Sequence, residues 1–358
     1  MTDRMVNTLF EMVRIDSESG NEERFISYLK NLFETEFGAK CSLDSYGNLI
    51  ATISGSGSCK TPVLFGCHAD TVSPGVGIEP FIDDGIIRSK GDTILGADNK
   101  AGITELIEAI RTVDQHPPLE IVITREEEIG LEGARNLDFS LLTAKIGFII
   151  DGDVLDYVVI GGPSHMLIDV DITGKAAHAG MEPEKGISAI KAASYGISVL
   201  KEGRLDDETT VNVGIIKGGE IRNGVPSKAQ IKMECRSLIH EKCITQGELI
   251  TDLFNVAARA VGAKADIKSK LAYKAVSIPE DARVVKIAKE AAKSVGVEPK
   301  VLVIRGGTDA SIYNEKGIQS VVVGTGVQAE HTTDEHIAIA DMEKAVGMIR
   351  HILHETSK

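Results

Sequence analysis

The segment PVLFGCHADTV, residues 62–72, carries the decision about the fold. Its first five residues are apolar on both alternate positions, which suits a strand buried on both faces. A strand of that kind belongs to a mostly parallel sheet covered by helices. Five further Val/Ile/Leu-rich runs, at 48–53, 119–124, 145–150, 301–304 and 319–324, read the same way, each bounded by turn residues. Helices are predicted over 3–14, 22–37 and 100–114. In the second, Phe25, Tyr28, Leu29, Leu32 and Phe33 recur at helical spacing, and Gly38 is a natural stop. In the third, Ile103, Leu106, Ile107, Ile110 and Val113 form one apolar stripe.

The middle of the chain has another rhythm. Residues 164–173, 227–236 and parts of 265–275 alternate apolar and polar, the signature of strands with one wet face and hence of an antiparallel sheet. With helices predicted near 186–202 and 241–262, the order is β-α-β-β-α-β, a ferredoxin-like module. The expected organisation is therefore an inserted α+β domain over 161–276, flanked by 1–160 and 277–358, which together form the main α/β domain.

Length and composition agree with two domains. The chain has 358 residues, 42% hydrophobic and 26% charged, with no Trp, so its core must be aliphatic. Lys and Arg number 39 against 53 Asp and Glu, a net charge of −14, which repels a polyanion and argues against nucleic-acid binding. Five cysteines, without CxxC spacing, suit a reduced cytoplasmic protein. No secretory signal opens the sequence, and no apolar run reaches the ~18 residues of a membrane span.

The residues that carry chemistry follow the apolar runs. His68 and Asp70 close the first; His-x-Asp there places an imidazole on a metal with the Asp behind it, or is a histidine hydrogen-bonded near a turn. Asp98, in LGADNKAG (95–102), begins the third helix and also fits an N-cap, although the glycines around it point to close backbone approach. TREEEIGLEGA (124–134) packs three glutamates after a strand; they form a solvated loop, or their repulsion is offset by a cation. In the second case one carboxylate binds metal and its neighbour serves as general base. Asp151 ends FIIDGD (148–153). His331 and His336 occupy the polar stretch AEHTTDEHIAI (329–339), where surface histidines are the plain alternative. His68, Asp98, Glu128, Asp151 and His331 thus all fall at strand ends or adjoining loops. Mixed imidazole and carboxylate donors suit Zn²⁺, with Mn²⁺ or Co²⁺ as substitutes. Five donors exceed the needs of one open tetrahedral site and match two metals sharing a carboxylate.

Taken in order, GCHADTV, GADNKAG, TREEEIG, the Asp of FIIDGD, GKAAHAG (174–180) and AEHTTDE resemble the peptidase-T-like branch of the co-catalytic zinc peptidases. That superfamily also holds aminoacylases, desuccinylases and carboxypeptidases. The resemblance implies that His68 and Asp151 hold one zinc, Glu128 and His331 the other, and Asp98 bridges both. It implies Asp70 as the orienter of His68 and Glu127 as general base; a slip of one residue in EEE would exchange the glutamates' roles. Many members have a second Asp where this chain has Asn99, a position that is not a ligand. His178 of GKAAHAG is implied as donor to the developing oxyanion, often across a dimer, and Arg305 and Asn223 as substrate-binding residues. Arg305 in a structural salt bridge and His178 as a loop histidine are the plain alternatives. The GG pairs at 161–162, 218–219 and 306–307 lack phosphate-loop spacing and read as turns.

The expectation is a cytoplasmic dinuclear zinc aminopeptidase, most simply a tripeptidase, acting on short peptides and dimerising through the inserted domain. An N-acyl amino acid deacylase or carboxypeptidase with the same chemistry is the alternative. A non-catalytic binding protein would be expected to lack a ligand or the base, and none is missing.

Overall fold

The structure, a computed structural model, describes residues 1–358. The chain folds as two units, Met1–Gly161 with Ser277–Lys358, and Gly162–Val276.

The first unit is built on a nine-stranded mixed sheet. Four strands form its parallel centre, in spatial order Leu119–Thr124, Val63–His68, Ile146–Gly152 and Gln319–Gly324. Leu119–Thr124 and Val63–His68 are buried at every position, as their mostly apolar character requires, and the one acidic residue among them, Glu120, accepts the amides of Thr143 and Ala144. In register, His68 lies beside Thr124 and Gly152 beside Gly324, so the carboxyl ends of these strands are level. Ligands of open α/β sheets gather beyond such ends.

Two expectations need correction. The helix Ala97–Thr112 is not amphipathic in place: Lys100, Thr104, Glu105 and Glu108 are buried along with the apolar stripe. It packs against strands on one side and against the helices Thr2–Val13 and Ile339–Thr356, so it has no wet face. Glu108 is compensated there by Arg4, at 2.6 Å, and by Arg111. The strand Lys300–Val303 is half exposed instead of buried, because it pairs only with Tyr157–Gly162. That partner strand escaped the sequence reading. So did a four-stranded sheet of Pro80–Asp83, Ile86–Ser89, Val327–Gln328 and His336–Ala338.

The second unit is a five-stranded antiparallel sheet. Its four long strands run, in spatial order, Thr209–Gly218, Lys228–Ser237, Ser164–Thr173 and Lys264–Tyr273, the ferredoxin-like arrangement, with short Gly203–Arg204 at the edge. The alternating residues Ile168, Val170, Ile172, Ile231 and Met233 point to one core, closed by Ala189, Ala192 and Ala193 of helix Ala189–Val199 and by Ile250 and Phe254 of helix His240–Ala260.

Candidate active site

His68, the last residue of its strand, is almost completely buried. Its Nδ1 lies 2.9 Å from the backbone carbonyl of Asp70. A carbonyl only accepts, so Nδ1 carries the proton and Nε2 of the neutral ring presents a lone pair. That Nε2 faces two carboxylate oxygens, Asp98 Oδ1 at 3.1 Å and Asp151 Oδ1 at 3.2 Å. The other oxygen of Asp98 is 3.2 Å from His331 Nε2, which also lies 2.9 Å from Glu128 Oε1. The carboxylate of Asp98 thus stands between two imidazole–carboxylate pairs, His68 with Asp151 and His331 with Glu128.

Asp98 is not an N-cap. The helix is capped by Gly96, and Asp98 has a non-helical ψ of 105° with no capping hydrogen bond. Gly96 takes φ 67°, a turn that glycine makes without a Cβ penalty. At Gly102 a Cβ would sit 2.3 Å from the carbonyl oxygen of Ile150, so only glycine lets this helix approach the strand that carries Asp151. Asn99 donates from Nδ2 to the Ile150 carbonyl at 2.8 Å and to Asp151 Oδ1. It steadies Asp151, a task an Asp in the same place could not perform when ionised.

Asp70 does more than stand behind His68, from which its Oδ1 is 3.4 Å away. Its carboxylate accepts the amides of Glu127, at 2.9 Å, and Glu128, at 3.2 Å, and the hydroxyl of Ser19, at 2.7 Å. The three-glutamate loop is therefore no solvated excursion. Glu126 leaves it, with φ 53°, and bonds Tyr46.

The electrostatics are those of carboxylates crowded away from water. Burial, then Asp151, Asp309 and Glu128, drive the pKa of Glu127 well above the usual carboxylate range. Burial likewise raises Glu128 and Asp151, with His331 and His68 respectively opposing it. Burial also works to raise Asp98, but its contacts with His331 and His68 outweigh that and lower it. Hydrogen bonds to Asp98 and Glu128 push His331 up to about 11. For His68 burial opposes the charged ring, and Asp151, Asp70 and Asp98 overcome it, raising its pKa well above normal.

Each Nε2 thus meets two acceptors, and only a shared proton or a cation reconciles them. Donor atoms of His68, Asp98 and Glu128 all lie within 4.8 Å of one another. Imidazoles and carboxylates so placed suit Zn²⁺, Mn²⁺ or Co²⁺, and a cation also offsets the carboxylate repulsion that protons on two rings leave in place. The residues fit a metal.

His336 is not part of the cluster; it pairs with Arg88 in the four-stranded sheet. Arg305 is exposed, on the loop between the strand Lys300–Val303 and the helix Asp309–Glu315. His178 and Asn223 belong to the second unit, where both line a cavity of about 860 Å³. Their segments are bridged, His178 opposite Gly224, with the Ala179 amide donating to the Asn223 carbonyl at 2.9 Å. His178 Nδ1 accepts the amides of Gly180 and Met181 at 3.2 Å, which puts the ring proton on Nε2.

Three supporting residues, Ser19, Asp309 and Glu335, were missed by sequence reasoning, and Asn99 was noted only as a position that is not a ligand. Asp309 is buried, accepts the Thr124 hydroxyl at 2.5 Å, and is pushed up to about 7 by burial. Only its place after a strand, in VIRGGTDAS, hinted at it. Ser19 and Glu335 carried no local signal.

Known proteins share this architecture. The sequence profile of Peptidase family M20/M25/M40 matches residues 64–355. The uncharacterized protein YqjE of Bacillus subtilis is 36% identical over 368 aligned residues, covering 99% of each chain. The crystal structure of aminopeptidase PepT from Bacillus cereus shares 37% identity, covers 100% of this chain and 99% of its own, and superposes with a TM-score of 0.89. A tripeptidase structure from Staphylococcus aureus shares 35% identity over the same extents, with a TM-score of 0.93. With its strand-end cluster and its match to the family profile, this chain belongs to peptidase family M20/M25/M40.

Proposed function

We propose that the chain is a dinuclear-metal aminopeptidase that releases the N-terminal residue of short peptides, tripeptides above all. The observation that carries this reading is the Asp98 carboxylate standing between His68–Asp151 and His331–Glu128. Full-length similarity to proteins described as an aminopeptidase and a tripeptidase supports the substrate class.

In this reading His68 and Asp151 would hold one cation and Glu128 and His331 the other, with Asp98 available to both. Two divalent cations, Zn²⁺ first with Mn²⁺ or Co²⁺ as substitutes, supply Lewis acidity toward water and the scissile carbonyl when bound. Glu127 accepts the proton of the attacking water and returns it to the leaving amine. Its buried, like-charged surroundings raise its affinity for that proton, which suits a base of this kind. Asp70 keeps Glu127 and Glu128 in place through their amides. His178, with its proton on Nε2, is a donor suited to the oxyanion. Arg305 offers a guanidinium to a peptide carboxylate and Asn223 an amide.

A homodimer through the inserted unit is part of the proposal. Ile190, Tyr195 and Val199 are exposed on helix Ala189–Val199, and Ile215 and Ile216 on strand Thr209–Gly218. The edge strand Gly203–Arg204 covers only Thr210 and Val211 of that strand. Sedimentation showing only monomer at assay concentration counts against it. No helix is long and apolar enough to cross a membrane, and all five cysteines are free thiols, which supports a reducing, cytoplasmic setting.

The test is hydrolysis of an unblocked tripeptide, of its N-acetylated form, and of an N-acetyl amino acid, before and after chelation. Chelator-sensitive cleavage of the unblocked peptide alone is expected. Preference for the N-acetyl amino acid makes the chain a deacylase, and undiminished activity in metal-free protein ends the proposal.

A further inference from the structure

Two of the donors in the cluster, Asp98 and His331, are presented by turns far apart in sequence. Asp98 lies at the kinked start of its helix, where the first amides lack helical partners. His331 is half exposed and has φ 61°, and Ala329, two residues before it, has φ 54°. Left-handed backbone of this kind is unfavourable for a residue with a Cβ and persists where the surroundings over-determine it.

Glu335 supplies the constraint on both segments. It is buried, and its carboxylate reaches back 237 positions in sequence to accept the Asp98 amide at 2.9 Å, with its second oxygen accepting the Gly96 amide at 2.7 Å. Its own amide donates to the Thr332 carbonyl at 3.1 Å, and the Thr332 hydroxyl donates to the Ala329 carbonyl at 2.7 Å. The turn that presents His331 is therefore closed on itself and fastened by Glu335 to the turn that presents Asp98.

We infer that Glu335 is a positioning residue that sets the separation of Asp98 and His331, and thereby tunes one of the two cation positions, the one shared by Asp98, Glu128 and His331. This rests on the dinuclear reading above. Glu335 touches neither cation nor substrate in it. A glutamine at this position keeps the shape but turns an amide NH₂ toward backbone donors, so one of the two fastenings is lost. The position between His68 and Asp151 also meets Asp98, but it keeps Asn99 on Asp151 and Asp70 on His68, so it changes less.

The experiment is calorimetric titration of Zn²⁺ into metal-free full-length protein. Wild type is expected to bind two equivalents. In Glu335→Gln one of the two affinities falls roughly 10- to 100-fold, the range for loss of a partner behind a metal ligand, and the other falls less. Asp334→Asn, an exposed change in the same turn, keeps both. His331→Ala weakens the same equivalent, and combining it with Glu335→Gln adds little, because the two act through one site. If the glutamine variant does not fold, Glu335→Asp, which draws the charge back by one methylene, weakens the same equivalent. Two wild-type affinities in a folded Glu335→Gln or Glu335→Asp, with only the melting temperature of the metal-free protein lowered, overturn the inference. Wild type that binds no zinc defeats the dinuclear reading itself.

Discussion

Each unit of this chain gathers histidine and carboxylate side chains along its sheet, yet the two gatherings are opposite in electrostatic character. In the inserted unit, Glu234 accepts from His165 Nε2 at 2.9 Å and from the Arg236 guanidinium at 3.1 Å. One carboxylate serves two donors, and the hydrogen bond from His165, with Arg236 behind it, holds its pKa down at about 2. In the other unit, His68 and His331 are outnumbered by Asp98, Glu127, Glu128 and Asp151, and burial pushes three of these four carboxylates up. The first group is complete as it stands. The second is under electrostatic tension that a cation relieves. Perturbed pKa values mark function when they rise together in a cleft, and structure when each charge has its counterpart.

The largest expected effect is on turnover. Glu127→Gln keeps the shape of the loop and lowers kcat on a tripeptide about 10²- to 10⁴-fold, the usual worth of a general base. Calorimetric zinc binding stays near wild type. A variant with unchanged kcat removes the distinction between Glu127 and an ordinary buried carboxylate.

Next in size is the response to metal. Adding Zn²⁺ at about 100 times its Kd stabilises the folded protein by about 2.7 kcal/mol per site, read as a rise in melting temperature that a chelator reverses. Glu234→Gln leaves that rise intact and His68→Ala diminishes it. An equal loss in both variants contradicts the contrast.

Gly102→Ala tests the packing beneath the cluster. The new methyl meets the Ile150 carbonyl oxygen at 2.3 Å, a backbone atom that cannot swing away. Overpacking of this kind costs about 1–3 kcal/mol, and it parts Asp98 from Asp151, so denaturant midpoint and metal affinity fall together. A fall in stability alone separates packing from site geometry.

The smallest effect belongs to the inserted unit. The pKa of Glu234 is depressed on folding, from 4.5 to about 2, so its contribution is present above about pH 4.5 and lost as pH falls toward 2. The carboxylate is partly exposed, which limits the stabilisation to about 1 kcal/mol. Unfolding of wild type and Glu234→Gln should differ at pH 6 and converge near pH 2. A difference that persists at pH 2 has another cause.

Much of this was legible in the chain. The strand Leu119–Thr124 is bounded as its apolar run indicates, and Ser164–Thr173 as its alternation does, because each pattern has one stable burial. His68, Asp98, Glu128, Asp151 and His331 could be singled out because strand ends are where an α/β sheet exposes chemistry. What stayed hidden depends on partners distant in sequence. Nothing near Glu335 says that it caps a helix beginning at Ala97, and nothing near Ser19 says that it meets Asp70. The burial of Glu105, whose carboxyl oxygens have no partner and whose pKa is driven up by burial, contradicts any reading of that helix as one-faced. Helical spacing shows which face must be covered, not whether a second layer covers the other.

Crystals of the zinc-loaded enzyme, measured at the zinc absorption edge, bear most directly on the central claim. Two anomalous peaks are predicted, one against His68 and Asp151 and one against Glu128 and His331, with the Asp98 carboxylate in contact with both. A map with no peak among these five side chains, or with zinc bound only elsewhere on the chain, would contradict it.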